Sequence, residues 1–212
     1  FLYSKLLCWV ALDRAVKLAE RYRLPGPVAR WRSNGAEIRR VILDEGYNQK
    51  LGAFGQALGE PVLDASALAI PLLGFLPATD PRVQSTVRKI QDELTAHGLV
   101  YRYRADDGLP GGEATFVLCS FWLVDNLALA GRVDEARALF ERVAGYANDV
   151  GLLAEEIEPV SGELLGNFPQ GFSHLALIRS ALHIAKAEKF GPEHKAKTRA
   201  DRADQMAEAG RS

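Results

Sequence analysis

Residues 114–131 read ATFVLCSFWLVDNLALAG. The run is apolar nearly all the way round a helical wheel, so a helix formed there has no face to offer water and must be enclosed on both sides. Everything else in the chain has to be arranged around that requirement.

The segments available to enclose it carry the opposite pattern. In residues 1–22, Leu2, Leu6, Trp9, Val10, Val16 and Leu18 fall close to helical spacing. Lys5, Arg14, Lys17 and Glu20 lie mostly on the other face, which predicts an amphipathic helix. LPGPVARW breaks it, with Pro27 in the first turn of a second helix carrying Val28, Trp31, Ile38, Val41 and Ile42 toward Glu45. The two form a hairpin. Residues 45–64 are rich in glycine and polar groups and read as a long connection or a short two-stranded excursion. Asp64 then caps ASALAIPLLGFL, which Pro71 ends or kinks. Asp80 as cap, Pro81 at the first helical position, apolar Val83, Val87, Ile90 and Leu94, and Gly98 as the stop define the next helix. LVYRYRADDGLPGGE alternates briefly and becomes a glycine-rich loop. After Gly131 a regular amphipathic helix runs to about Asn148, with Val133, Ala136, Leu139, Phe140, Val143 and Tyr146 inward, and GFSHLALIRSALHIAKAEKF forms the last.

Short turns at 24–27 and 130–132 therefore alternate with long loops at 46–63, 98–113 and 150–170. That alternation predicts an all-α fold of about seven helices in antiparallel hairpins, with the long loops on one rim. No repeat of fixed period is present, which disfavours a solenoid and favours a toroid of helix pairs. One domain spans 1–190. Residues 191–212 hold almost no large apolar side chain and read as a charged, flexible tail.

Composition narrows the partners. The 212 residues are 48% hydrophobic and 25% charged with a formal net charge of −1, which suits a soluble globular protein and provides no basic field for nucleic acid or an anionic membrane. No run of about 18 apolar residues marks a membrane span. The N-terminus lacks the features of a signal peptide, so a cytoplasmic setting is expected. Cys8 and Cys119 each sit inside an apolar helical pattern without metal or redox spacing, and read as buried thiols. The chain opens without Met in mid-helix, which predicts a piece of a longer protein.

The chemistry is narrowed by elimination. His97, His174, His183 and His194 form no HExxH pair, so no metal is expected; GLPGGE matches no phosphate loop, no GxSxG occurs, and no cofactor is expected. Carboxylates remain. Residues 151–178, GLLAEEIEPVSGELLGNFPQGFSHLALI, set Glu155, Glu156, Glu158 and Glu163 beside Phe168, Phe172 and His174 between two helices. A solvated loop could look like this, and so could the rim of an active site. Glycosidic cleavage by inversion needs one carboxyl group to protonate the leaving oxygen and another, about 6.5–9.5 Å away, to deprotonate a water on the opposite face. Acidic loops flanked by aromatic rings, Arg and Asn hold the parts for such a site.

Four segments, FLYSKLLCWVALDRAVKLAE, LVYRYRADDG, EATFVLCSFWLVDNLALAGRVDEARALFE and NDVGLLAEEIEPVSGELLGNFPQGFSHLALI, resemble in the same order segments of the bacterial branch of glycoside hydrolase family 15. That branch contains glucoamylase-like, glucodextranase and trehalase enzymes, and the resemblance runs from residue 1 to about 190. It implies an (α/α)6 barrel whose rim loops form a pocket for a terminal glucose, and hydrolysis of an α-glucosidic bond with inversion. The family's general base is the Glu of a Leu-Ala-Glu-Glu/Gln segment, which falls on Glu155; Glu156 is a neighbour able to bind sugar or position it. Arg102 and Tyr103 match the family's Arg-Tyr segment at the substrate pocket. Asp106 and Glu113 lie in the same loop, and His174 falls in the NFPQGFSH match.

The family's general acid lies in a Trp-Glu motif just upstream of the segment matching FLYSKLLCW, and no Trp-Glu dipeptide occurs here. Ala114 and Gly171 also depart from the branch, each exchanging one small residue for another. The resemblance thus implies the C-terminal part of a catalytic domain, needing its N-terminal part and an α-glucoside or glucan substrate. Alone it should be inactive and poorly stable, with apolar inner faces such as FVLCSFWLV exposed. A helical sugar-binding or interaction module without catalysis is the alternative. Starch ends, isomaltose-type linkages and trehalose all remain open as substrates.

Overall fold

The computed structural model describes residues 1–104 and 114–190. The expected tail at 191–212 lies outside the described residues. Seven helices are present among them, some joined by turns and others by short antiparallel ribbons.

Helices α1 (Leu2–Tyr22) and α2 (Val28–Glu45) form the first hairpin. Pro27 stands just before α2 as its cap rather than inside its first turn. Leu2, Leu6 and Ile42 are buried where the pair meets the rest of the molecule. Burying such a side chain is worth about 1.5–3 kcal/mol, so the inward stripe stabilises the hairpin more than any turn residue does. The connection that follows is the two-stranded alternative, β1 (Tyr47–Asn48) against β2 (Ala53–Phe54).

Asp64 accepts the Ser66 N–H at 2.6 Å and starts a 3-10 turn, Ala65–Leu68, that leads into the single helical turn α3 (Ala69–Leu72). Pro71 lies inside α3, which ends one residue later. Helix α4 (Pro81–Glu93) has the expected cap, with Asp80 accepting the Arg82 N–H at 2.9 Å. It ends at Glu93 rather than near Gly98. The chain turns there into β3 (Thr95–Ala96) and β4 (Leu99–Val100), and His97 (φ 51°) and Gly98 (φ 82°) form the tight turn between them. Two successive positive φ values are what a two-residue hairpin turn demands, so Gly98 serves the ribbon rather than the helix end.

After β5 (Thr115–Phe116), α5 (Val117–Ala130) passes through the middle of the molecule, and Gly131 in the left-handed conformation (φ 92°) reverses the chain into α6 (Val133–Ala144). Helix α6 stops short of Asn148, whose side-chain oxygen accepts the N–H groups of Val150 and Leu152 and folds the next residues into a turn. Strands β6 (Glu156–Ile157) and β7 (Leu164–Leu165) join β5 in a three-stranded sheet, ordered β5-β6-β7, before the long α7 (Gly171–Phe190).

The all-round apolar helix is enclosed as its composition requires: Phe121, Trp122, Leu123, Val124, Leu127 and Ala128 of α5 are all buried. Its polar side chains are used inside the core. Asp125 accepts bonds from Arg179 Nε (2.7 Å), Ser180 Oγ (2.8 Å) and His183 Nδ1 (2.9 Å), all on α7. Asn126 donates to the Leu68 and Trp122 carbonyls, tying α5 to the 3-10 turn.

Two expectations are corrected here. FVLCSFWLV is not exposed, because α5 sits in the interior of the arc with helices of the same chain around it. Exposed apolar side chains stand instead on the outermost helices, among them Phe1, Leu7 and Leu18 on or beside α1 and Phe172, Leu175, Ile178 and Leu182 on α7, and in loops at Val150, Val160 and Phe168. Of the two cysteines only Cys119 is buried; Cys8 is exposed, on a face of α1 that none of the described residues covers. No helix among the described residues is long and apolar enough to cross a membrane.

The described parts of the long connections gather on one rim. The Leu2 N–H at the start of α1 donates to Gln56 O in the first loop, the Val117 N–H at the start of α5 donates to Glu155 O, and the Gln170 N–H before α7 donates to Leu153 O. Loops that follow α2 and α6 thereby satisfy the otherwise unpaired N–H groups at the starts of α1 and α5.

Candidate active site

Backbone hydrogen bonds run along this rim as an almost continuous ladder. The Ala65 N–H donates to Arg102 O, Tyr101 pairs with Thr115, and Phe116 pairs with Glu156, which pairs with Leu165. Residues far apart in sequence are thereby placed on neighbouring extended segments, with Arg102 toward one end and Glu155 toward the other.

Glu155 is held through its backbone and its side chain alike. Its N–H donates to Asn167 O at 3.0 Å, and its carbonyl accepts the Val117 N–H. Its Oε2 accepts both the Asn167 N–H (3.0 Å) and Asn167 Nδ2 (2.7 Å). Gly166 has φ 73°, and a Cβ built there would fall 2.9 Å from Glu155 Oε2. The turn can wrap the carboxylate only because position 166 has no side chain.

The residues before Glu155 are fastened from α7. Ser173 Oγ donates to Ala154 O at 2.7 Å, and the Leu153 N–H donates to His174 Nε2 at 3.3 Å. His174 Nδ1 lies 2.8 Å from Gln170 O. An Nε2 that accepts and an Nδ1 that faces a carbonyl fit one tautomer, with the proton on Nδ1. Both ring nitrogens are thus committed to backbone, and His174 anchors the loop that carries Glu155.

The other carboxylates of the segment differ. Glu156 occupies the middle strand of the sheet, opposite Phe116 and Leu165. Glu158 accepts the N–H groups of Ser161 and Val160, and Ser161 holds its carboxyl below the usual range through its backbone N–H first and its side chain second. That is a turn staple facing its own backbone.

At the other end of the ladder, Arg102 Nε donates to Asp64 Oδ1 at 2.9 Å. Burial works against the guanidinium charge, but the neighbouring Asp64 carboxylate more than offsets it and the Arg102 pKa rises. Beneath them Cys119 is fully buried, and burial pushes its thiol far up, so it stays neutral. Tyr3 and Trp122 make a tilted ring contact with centroids 6.2 Å apart. Tyr103 is half-buried at the edge of the described segment, and the Arg104 guanidinium lies over the Tyr101 ring at 4.3 Å. Asp106 and Glu113 lie outside the described residues.

The structure therefore brings Arg102, Tyr103, Glu155, Glu156 and His174 to one rim. Reading the sequence missed Asn167, Gly166, Ser173 and the bond from Arg102 to Asp64. Gly-Asn is signalled as a turn, but nothing local indicates that the turn closes on a carboxylate twelve residues earlier. Among the described residues no group of His, Cys, Asp and Glu side chains is placed to hold a metal ion.

The family model for glycosyl hydrolases family 15 matches residues 1–182. A trehalase of Mycobacterium tuberculosis (strain ATCC 25618 / H37Rv) is 51% identical over 192 residues, covering 89% of this chain and 28% of its own length. A trehalase of Thermoplasma volcanium is 40% identical over 188 residues, covering 88% of this chain and 30% of its own. The chain thus spans less than a third of these relatives. Among solved structures, a glycosidase variant in complex with glucose superposes with TM-score 0.74 at 24% identity, covering 87% of this chain and 52% of that one. A wild-type glycosidase superposes with TM-score 0.69 at 26% identity, covering 81% and 48%. The helical hairpins and the shared rim are an arc of the (α/α)6 toroid.

Proposed function

Because the chain belongs to glycosyl hydrolase family 15, we propose that it supplies the base-bearing C-terminal part of an inverting glycosidase acting on trehalose. Glu155 is the general base. It takes the proton from a water whose oxygen attacks the anomeric carbon, on the face opposite the departing sugar. The C1–O bond breaks with its electron pair passing to the leaving oxygen, which is protonated by a carboxylic acid from sequence outside these 212 residues. Arg102, oriented by Asp64, offers a guanidinium fork to sugar hydroxyls, with Tyr103 beside it as a stacking ring.

The observation that carries this reading is the Glu155 carboxylate, fixed through Oε2 on a rim loop that is itself anchored to α5 and α7. The choice of trehalose rests on the relatives, which are trehalases at 40–51% identity. The apolar faces left open on α1 and α7 are where the N-terminal part of the same domain would pack.

The test is turnover of trehalose, maltose and isomaltose by the full-length gene product and by its Glu155→Gln variant. Gln keeps the shape but cannot accept the proton, so turnover should fall about 10²- to 10⁴-fold, with trehalose the preferred substrate of the parent. An unchanged Glu155→Gln rate would remove Glu155 from the chemistry, and a preference for maltose would move the assignment to a glucan substrate.

A further inference from the structure

The proton-accepting role proposed for Glu155 leaves open which of its two oxygens faces the water, and the geometry answers that. Oε2 already accepts two N–H donors from one residue, the backbone N–H and the Nδ2 of Asn167. It is also the oxygen nearest to where a side chain at position 166 would stand, a place that Gly166 leaves open. Oε1 meets no donor among the described residues. We propose that Asn167 is the positioning residue of the base, pinning Oε2 so that Oε1 is presented to the attacking water.

Three features favour positioning over a merely structural role. The contact is reciprocal, since the Glu155 N–H donates to Asn167 O, so the two residues form a closed clamp rather than a single contact. Asn167 itself is exposed, so no core packing depends on its side chain. Bonds from N–H groups to a carboxylate are among the stronger ones available and fix the rotation of the group they hold. A carboxylate free to rotate would offer its lone pairs to the water only part of the time, and small misplacements of catalytic groups cost large factors in rate.

The inference rests on Glu155 being the base, and the experiment separates the two claims. Steady-state kinetics on trehalose would be measured for the full-length protein and for its Asn167→Asp, Asn167→Ala and Glu155→Gln variants, with a melting curve for each. Asn167→Asp keeps the side-chain shape and the backbone N–H but replaces the Nδ2 donor by an oxygen. Asn167→Ala removes the donor without adding charge. Both should lower kcat roughly 10- to 100-fold while KM stays within about threefold and the melting temperature holds, the pattern of an interaction needed in the transition state. If Glu155→Gln is inactive and both Asn167 variants keep the parent kcat, the positioning role fails and the base assignment stands. If kcat, KM and melting temperature all deteriorate together, Asn167 is only a loop residue and the inference also fails. If Glu155→Gln is as active as the parent, the base assignment itself is wrong, and this inference falls with it.

Discussion

At the scale of single residues, the Glu155 loop is held by contacts that can be removed one at a time. Gly166→Ala places a methyl group where only 2.9 Å separates it from Glu155 Oε2, at a backbone position with φ 73°. The left-handed conformation alone costs an L-residue about 1–2 kcal/mol. The displaced carboxylate should lower kcat roughly 10- to 100-fold, which turnover of trehalose by the full-length variant would read. His174→Ala leaves the Leu153 N–H without its acceptor. A buried donor left unpaired costs about 1–3 kcal/mol, so the variant should lose that much in urea denaturation. A His174→Ala protein as stable as the parent would show that the ring is not an anchor. In the sequence, Glu155 is singled out as the candidate base only through a resemblance of the LAEE segment to a family. Composition and spacing could not distinguish it from Glu156 or Glu158. What separates them is a clamp closed across twelve residues and a helix N-terminus some forty residues upstream, and neither leaves a local pattern.

At the scale of elements, periodicity served well where one side of a helix is buried and the other wet. Helices α1, α2 and α7 have close to the expected limits, and α4 starts at Pro81 with Asp80 capping as its chemistry dictates. It served poorly at ends decided by tertiary ribbons. Helices α4 and α6 both stop early because the following residues pair or turn along the rim, and two-residue strands are too short to show an alternating pattern. The α4 cap also carries a pH signature. The Arg82 side chain first, and the Arg82 and Val83 N–H groups after it, hold the Asp80 carboxyl below its usual range, with burial opposing. Its folded-state value is depressed, so its stabilisation is present above the unfolded value of about 3.9 and is lost as pH falls through the folded one. Asp80→Ala should cost about 1 kcal/mol at pH 7. The gap between variant and parent should close in strongly acidic buffer. Asp125 locks α7 to α5 more firmly, since its carboxylate is fully enclosed and accepts from Arg179, Ser180 and His183. Asp125→Ala takes this acceptor from Arg179 and His183, while Ser180 Oγ keeps the Phe121 carbonyl. Because Arg179 is over a third exposed and water can partly compensate it, a loss of about 2–3 kcal/mol is expected in denaturant titration, at or below the usual range for breaking a buried pair.

At the scale of the whole molecule, the arc is well packed in its middle and open at its outermost helices. Phe172, Leu175, Ile178 and Leu182 recur at helical spacing on α7, each more than half exposed, and Leu7 and Leu18 are also exposed on α1. Contiguous exposed apolar surface of this kind marks an interaction site or an association hazard. The 212-residue chain produced alone should therefore show concentration-dependent association and no trehalose hydrolysis, and supplying the upstream sequence should reverse both. Ile178→Ser should change the stability of the isolated chain by no more than about 0.5 kcal/mol while weakening its union with the upstream part, since exposed positions away from special contacts are nearly neutral. The measurement that reaches the central claim most directly is the anomeric composition of glucose released from trehalose by the full-length protein, followed by proton NMR within the first minutes, before mutarotation. Attack by a water activated at Glu155 inverts one anomeric centre and leaves the departing sugar untouched, so α- and β-glucose should appear in equal amounts, and the Glu155→Gln variant should release neither at a comparable rate. Release of α-glucose alone would mean retention at the attacked carbon, and would contradict the assignment of Glu155 as a general base acting on water.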